Sequence, residues 1–330
     1  MAQKTYEYAT AKQTLNKVTA KSMPFEWSVN PYRGCAHGCS FCYARAFQSF
    51  IGRDAEDEFQ NHITIKHNGA QALEVQLARN AKKFGGDLEA AANHIGQVTV
   101  GTATDPYQPI ESKEMITRES LKVLAKYRIS TSITTRSPLI LRDLDLLQEM
   151  RISAVNISIN TLRADITRKM EPASPFPAKR LETVETLERH GIRTGIFIAP
   201  ILPCLTDASS DLEQLIAAAR NHRASFAHAS PLRLSPDVKA WYMHVLELHF
   251  PRLLPAYRTL FPGTGAYANR AYTDQLMEKV HNLLHNYGFT RQPLPRPERS
   301  AIQAVVQGAP GDRKSLQQPG NAVEQLEFSF

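Results

Sequence analysis

Three of the four cysteines in this chain, Cys35, Cys39 and Cys42, fall close together with the spacing C-x3-C-x2-C. Thiolates are soft ligands that suit iron, and three of them this close can hold three corners of a [4Fe–4S] cube. Gly34 and Gly38 stand just ahead of Cys35 and Cys39, where the backbone must bend tightly and approach the cluster. The fourth iron would then lack a nearby protein ligand, and an open corner is where a small molecule can bind and react. The alternative is zinc held by these thiols with His37 or Cys204 as the fourth ligand. Structural zinc usually pairs two knuckles, and no second knuckle exists in the sequence. His37, lying between two ligands, reads as a loop residue.

The stretch 30–45 also carries Phe41 before the last cysteine and Tyr43 after it. In this it resembles the cluster loop of the radical SAM superfamily. The resemblance implies that S-adenosylmethionine chelates the open iron through its amino and carboxylate groups. It also implies that an electron from the cluster cleaves the sulfonium to a 5′-deoxyadenosyl radical. An electron donor such as flavodoxin or ferredoxin is an implied partner.

Such a loop needs a scaffold. Residues 1–23 are polar without a strong period and read as a lead-in arm. Residues 25–30 alternate apolar and polar, which predicts a strand delivering the cysteine loop. A short helix is expected over 40–50, a brief strand over 63–66, and an amphipathic helix over 70–83 with Leu73, Val75 and Leu77. From there strands and helices alternate. Strands are expected over 97–101, 129–134, 152–159, 192–201 and 226–234, and helices over 111–127, 141–150, 177–190 and 207–221. This alternation means βα units on a parallel sheet. Counting the first strand gives about six units, short of an eight-fold barrel. The expected fold is α/β, a partial (β/α)6 TIM-like barrel, and six-unit partial barrels are also what the resemblance implies.

The core is assigned to 24–235. Residues 236–292 read as a helical extension, with helices over 236–250, 251–261 and 272–287 and with Trp241, Tyr242 and Leu246 on one side. From 293 the composition turns to Pro, Arg, Gln, Gly and Ser, and 293–330 reads as a flexible tail.

In parallel βα architectures catalytic groups gather at the C-terminal ends of the strands. After the strand at 97–101 come Thr104 and Asp105. The resemblance places the SAM amino group here, and an ammonium needs acceptors such as backbone carbonyls, Thr104 or Asp105. Asp105-Pro106 alone is also a turn signal. Arg136, after the next strand, suits a SAM carboxylate or a substrate phosphate, or else a surface ion pair. Ser158 and Asn160 suit ribose hydroxyls or strand-end capping. Glu171 and Arg180 are expected to pair and fix their loop. Cys204 is the one cysteine away from the cluster. It is expected at the same mouth, either as a hydrogen-atom donor to a carbon radical or as a small buried hydrophobe.

Cys35 to Cys42, Thr104-Asp105-Pro106, Glu171-Pro172 with Arg180, and Cys204 to Asp207 together resemble the spore photoproduct lyase-like branch of the superfamily. That likeness implies DNA as a partner and repair chemistry. One departure matters: Thr102 stands where the lyase carries its donor cysteine. The chain is therefore expected to be a relative of the lyase, with Cys204 as a substitute donor.

The remaining signals are broader. A net charge of +7 is compatible with a nucleic-acid partner. There is no apolar run of membrane-spanning length and no apolar leader segment, and cysteine usage fits a reducing compartment, so a cytoplasmic protein is expected. The sequence ends in Gln325, Leu326, Glu327, Phe328, Ser329 and Phe330. This tip resembles the peptide by which bacterial repair and replication proteins hold the sliding clamp, with Phe328 in place of a leucine. Docking on the barrel as a final strand is the other reading. Three functions follow in order of expectation. The first is a radical SAM enzyme acting on nucleic acid. The second is the same chemistry on a small molecule or protein. The third is a non-catalytic metal-binding protein that docks on the replication machinery.

Overall fold

A computed structural model of the chain describes residues 3–19, 23 and 25–289. Its main sheet has seven strands in the order β10-β9-β8-β7-β6-β3-β2. These are β2 (Leu15–Lys17), β3 (Trp27–Val29), β6 (Gln97–Val100), β7 (Ser130–Thr135), β8 (Ile152–Ser158), β9 (Thr194–Ile201) and β10 (Phe226–Pro231). From β3 to β10 all neighbours run parallel, and β2 is added antiparallel at one edge. The six parallel strands are the six βα units expected from the alternation. A small sheet stands beside them: β1 (Thr5–Ala9), β5 (His62–Lys66) and β4 (Tyr32–Arg33), in the order β1-β5-β4.

The strands differ sharply on their two faces. Val98, Val100, Ile133, Val155, Ile157, Ile196 and Ile198 are fully buried in the core shared with the covering helices. Burying a side chain of this kind contributes about 1.5–3 kcal/mol. The alternate positions Thr99, Thr134, Ser158, Phe197 and His228 line a cavity inside the curved sheet. Period-two alternation thus builds an apolar outer face for helix packing and an inner face that lines the cavity.

Three expectations need correction. The arm at 1–23 contributes two strands, β1 paired with β5 and β2 paired with β3, because its backbone completes sheet edges that its polar side chains do not advertise. Val75 is exposed while Leu73 and Leu77 are buried, since only the i, i+4 pair shares the inward face of helix Gly69–Lys83. The helix over 111–127 is two helices, Glu111–Glu114 and Ile116–Lys126, broken at Met115, whose φ is +52°.

The extension consists of helices Pro236–His249, Leu254–Leu260 and Arg270–Asn286. Trp241, Tyr242 and Leu246 do share one buried side, together with Leu202, Leu205 and Cys39. The Tyr257 hydroxyl donates to the Pro203 carbonyl at 2.7 Å, fastening the loop after β9 to the extension. The tail and its terminal peptide lie outside the described residues. No described helix is long and apolar enough to cross a membrane.

Ile196→Ala is expected to cost about 2–5 kcal/mol in urea unfolding, because it opens a cavity in the sheet–helix core. Val75→Ala should stay within about 0.5 kcal/mol. Equal costs for the two would contradict this division of inner and outer positions.

Candidate metal and radical site

The cysteine loop begins where β4 turns away from the main sheet. Gly34 has a φ of +76°, and a Cβ there would sit 2.7 Å from the His62 carbonyl oxygen. Gly38 has a φ of +69°, and its Cβ would meet the Gln60 side chain at 2.9 Å. Both positions favour glycine on conformation, and Gly34, whose Cβ would meet backbone oxygens, requires it on space as well. The Gly34 carbonyl accepts from Thr104 Oγ1 at 2.6 Å, and the Ala36 amide donates to Gln108 Oε1 at 2.9 Å. The Tyr43 hydroxyl donates to the Thr102 carbonyl. These bonds tie the loop to the segment after β6.

Arg45 closes the loop from within. Its side chain is wholly buried and donates to the carbonyls of Cys39 (2.8 Å), Gly38 (3.0 Å), Ala55 (3.0 Å) and Glu56 (2.6 Å) and to Gln60 Oε1 (2.7 Å). Its guanidinium lies over the rings of Phe59 and Trp241, at 4.9 and 5.0 Å from their centroids. Burial pulls its pKa down to about 10, with the three cysteines opposing, so it stays charged at neutral pH. Sequence reasoning passed over Arg45; its only signal was a cation three residues beyond the last cysteine.

Cys35, Cys39 and Cys42 all face a cavity of about 1480 Å³. Burial pushes the Cys39 thiol up to about 12, although the neighbouring Arg136 acts the other way. Burial likewise raises Cys35 and Cys42. Arg136 Nη1 lies 2.6 Å from Cys39 Sγ and 2.9 Å from Glu171 Oε2. Burial opposes its charge, but Cys39, Glu171 and Asp105 together raise its pKa. Glu171 also accepts from Arg180 at 2.7 Å, the pairing expected from the sequence. Arg180 in turn donates to the Ser158 carbonyl at 2.9 Å.

Asp105 is buried and accepts from Thr135 Oγ1 at 2.6 Å and from the Arg136 amide at 2.9 Å. His37 Nε2 is 3.4 Å from the same carboxylate. Burial works against the charge of Asp105, yet His37, Thr135 and Arg136 bring its pKa down to about 2. The side chains of Thr104 and Asp105 are thus occupied in holding the loop and the strand ends.

Of the residues singled out from the sequence, Cys35, Cys39, Cys42, Thr104, Asp105, Arg136 and Ser158 converge on the cavity. Asn160 is buried but outside its lining. Cys204 is also outside the lining, contrary to expectation. The reason is the turn after β9, where Leu202 and Leu205 sink into the apolar cluster with Trp241 and Tyr242 and leave Cys204 exposed with a φ of +59°. Partial desolvation at this surface position, with Asp207 beside it, raises its pKa.

Three soft thiols on one cavity wall are a donor set that suits an iron–sulfur cluster. Among the described residues, no three His, Cys, Asp or Glu side chains converge on one metal position. A cube gives each thiolate its own iron, so the thiolates need not meet at a point. His37 Nδ1 meets the Ala173 carbonyl at 3.2 Å, its buried Nε2 lies 3.4 Å from Asp105 without a hydrogen bond, and Cys204 lies outside the cavity lining.

Residues 29–217 match the radical SAM superfamily. An uncharacterised protein of Mycobacterium tuberculosis is 30% identical over 310 residues, covering 92% of this chain and 87% of that protein. An uncharacterised protein of Methanocaldococcus jannaschii is 28% identical over 256 residues, covering 77% of this chain and 86% of that protein. Among solved structures, spore photoproduct lyase complexed with dinucleoside spore photoproduct superposes with a TM-score of 0.62 at 16% identity, covering 86% of this chain and 79% of that one. At that identity the likeness is one of fold.

Asp105 gives a pH prediction. Its folded pKa is depressed, so the stability it contributes is fully present above the usual value of 3.8 and is lost as pH falls through about 2. That contribution is worth about 2 kcal/mol. The stability advantage of the wild type over Asp105→Asn in urea titrations should therefore shrink between pH 4 and pH 2. A difference that stays constant across this window would contradict the assignment.

Proposed function

The chain belongs to the radical SAM superfamily, and from that premise we propose an enzyme that holds a [4Fe–4S] cluster on Cys35, Cys39 and Cys42, cleaves S-adenosylmethionine and acts on nucleic acid. The observation that carries this reading is the shared cavity. Three thiols form one wall, and the ends of β6, β7 and β8 form the next. When bound, the cluster and S-adenosylmethionine would supply one-electron chemistry able to activate a substrate C–H bond.

The chain's own residues hold and balance these groups. Thiolates buried this deeply need compensating charge: Arg136 Nη1 lies 2.6 Å from Cys39 Sγ, and the buried Arg45 cation acts on Cys42 electrostatically. Glu171 and Arg180 keep Arg136 aimed at Cys39. With Asp105 engaged, backbone carbonyls of the segment 101–105 are the acceptors left for an amino group, and Arg136 is the cation placed for a carboxylate. Ser158, on the cavity wall, suits a ribose hydroxyl.

The finer lyase reading, with a protein thiol as hydrogen donor, has less support. Thr102 lines the cavity at the lyase-like donor position, and Cys204 stands outside it. Apart from the three ligands, no described cysteine lines the cavity. A nucleic-acid substrate is supported by the net charge of +7 and by the fold shared with a lesion-bound repair enzyme.

Anaerobic reconstitution tests the reaction class. About four irons per chain are expected, with 5′-deoxyadenosine formed from S-adenosylmethionine after dithionite reduction and lost in Cys39→Ala. Zinc in place of iron, or a cluster that leaves S-adenosylmethionine intact, would refute the proposal. The terminal peptide is carried as a sliding-clamp ligand, with Leu326, Phe328 and Phe330 as anchors. Deleting residues 325–330 should abolish co-purification with the clamp and leave the iron content unchanged.

A further inference from the structure

The three ligand thiols do not have equivalent surroundings. Cys35 faces the backbone amide of Asp105, and Cys42 faces those of Ala44 and Arg45. These donors are neutral. Among the described residues, Cys39 is the one ligand thiol with a cationic hydrogen-bond donor, Arg136 Nη1 at 2.6 Å. Ser174 Oγ stands farther off, at 3.9 Å from the same sulfur. Cys39 is 4% exposed and the Arg136 side chain 16%, so little water screens the pair. In such a setting a fixed charge acts strongly on its neighbour.

Arg136 directly follows β7 and is held on several sides. Its amide donates to Asp105 at 2.9 Å, and its Nε lies 4.0 Å from the same carboxylate. Its Nη1 also meets Glu171 Oε2 at 2.9 Å. Glu171 is buried and accepts from Arg180 Nη2 at 2.7 Å, while Arg180 is anchored on the carbonyls of Ser158 and Pro175. Thiolate, guanidinium, carboxylate and guanidinium therefore alternate in sign away from the cysteine loop. The guanidinium in contact with the sulfur favours added negative charge there, and the carboxylate behind it opposes that charge from farther away. Hydrogen bonds to ligand sulfurs and nearby net charge are the levers by which a protein sets an iron–sulfur potential.

We propose that Arg136 is a positioning residue that raises the reduction potential of the cluster through Cys39, and that Glu171 is the opposing charge that limits this effect. The inference rests on the cluster reading above and goes beyond it. The step concerned is the entry of one electron from an external one-electron donor, either dithionite or a low-potential redox protein. The donor is oxidised, the cluster is reduced, and no bond forms or breaks. The reduced form carries one more negative charge than the oxidised form. Arg136 stays protonated throughout, so it stabilises the reduced form more. A residue that only packed the loop would be indifferent to the sign of the charge beside the sulfur.

The test is an anaerobic redox titration of the reconstituted full-length protein, followed by the electron paramagnetic resonance signal of the reduced cluster. It is run without S-adenosylmethionine, so that a carboxylate contact of Arg136 does not enter. Arg136→Gln should lower the equilibrium constant for one-electron reduction roughly tenfold, a shift of about 59 mV toward negative potential. Glu171→Gln, which removes the opposing charge and keeps an acceptor, should shift the potential the other way. Arg136→Lys, which keeps the charge, should stay nearer the wild type than Arg136→Gln. Iron content and thermal melting report whether each variant loads and folds. If Arg136→Gln does not load a cluster, Glu171→Gln decides: a positive shift supports the assignment, and an unchanged or negative one overturns it. If Arg136→Gln and Glu171→Gln both titrate as the wild type does, or both shift the same way, the assignment is overturned and the cluster reading survives. If the wild type holds no iron–sulfur cluster, the cluster reading falls, and this inference with it.

Discussion

The site depends first on one buried guanidinium. A loop that presents three thiols to a cavity must turn its carbonyls elsewhere, and buried carbonyls without donors are costly. Arg45 supplies five donors from a single planar group and reaches Gly38, Cys39, Ala55, Glu56 and Gln60 at once. A lysine could not fill this role, because its donors radiate from one nitrogen. The rings of Phe59 and Trp241 hold the guanidinium over their faces. Trp241 belongs to the helical extension, so the extension takes part in shaping the cysteine loop as well as covering the barrel.

A second set of charges lies between the thiols and the strand ends. Arg136 sits between Cys39 and Glu171, Glu171 is shared with Arg180, and Asp105 faces His37, Thr135 and the Arg136 amide. Each charge is nearly dry, and each has a partner of opposite sign or a hydrogen-bond donor. Such arrangements add little net stability but make removal of any one member expensive. Their effect here is positional: the ends of β6, β7 and β8 and the cysteine loop are held in one fixed relation.

The partial barrel explains why this relation leaves a large space. Six parallel strands curve without closing, and their inner faces carry small polar residues such as Thr99, Thr134 and Ser158. A closed barrel would fill its interior with layered bulky side chains. Here the interior stays hollow, and its lining runs from the thiols across the sheet to the extension.

The cysteine spacing, the βα alternation and the six-strand count were legible in the sequence because each is local or periodic. The Glu171–Arg180 pair was legible because only nine positions separate them. The strands of the arm were not, since backbone pairing at a sheet edge leaves no mark on polar side chains. Nor was the Arg136–Cys39 contact, which joins residues 97 positions apart, or the exit of Cys204 from the cavity. By itself the sequence determined which atoms could bind iron and what kind of scaffold would carry them. Only the tertiary structure decided which distant charges meet the thiols and which thiol is left outside, because those outcomes follow from how strand ends and the extension pack, and spacing along a chain does not encode that.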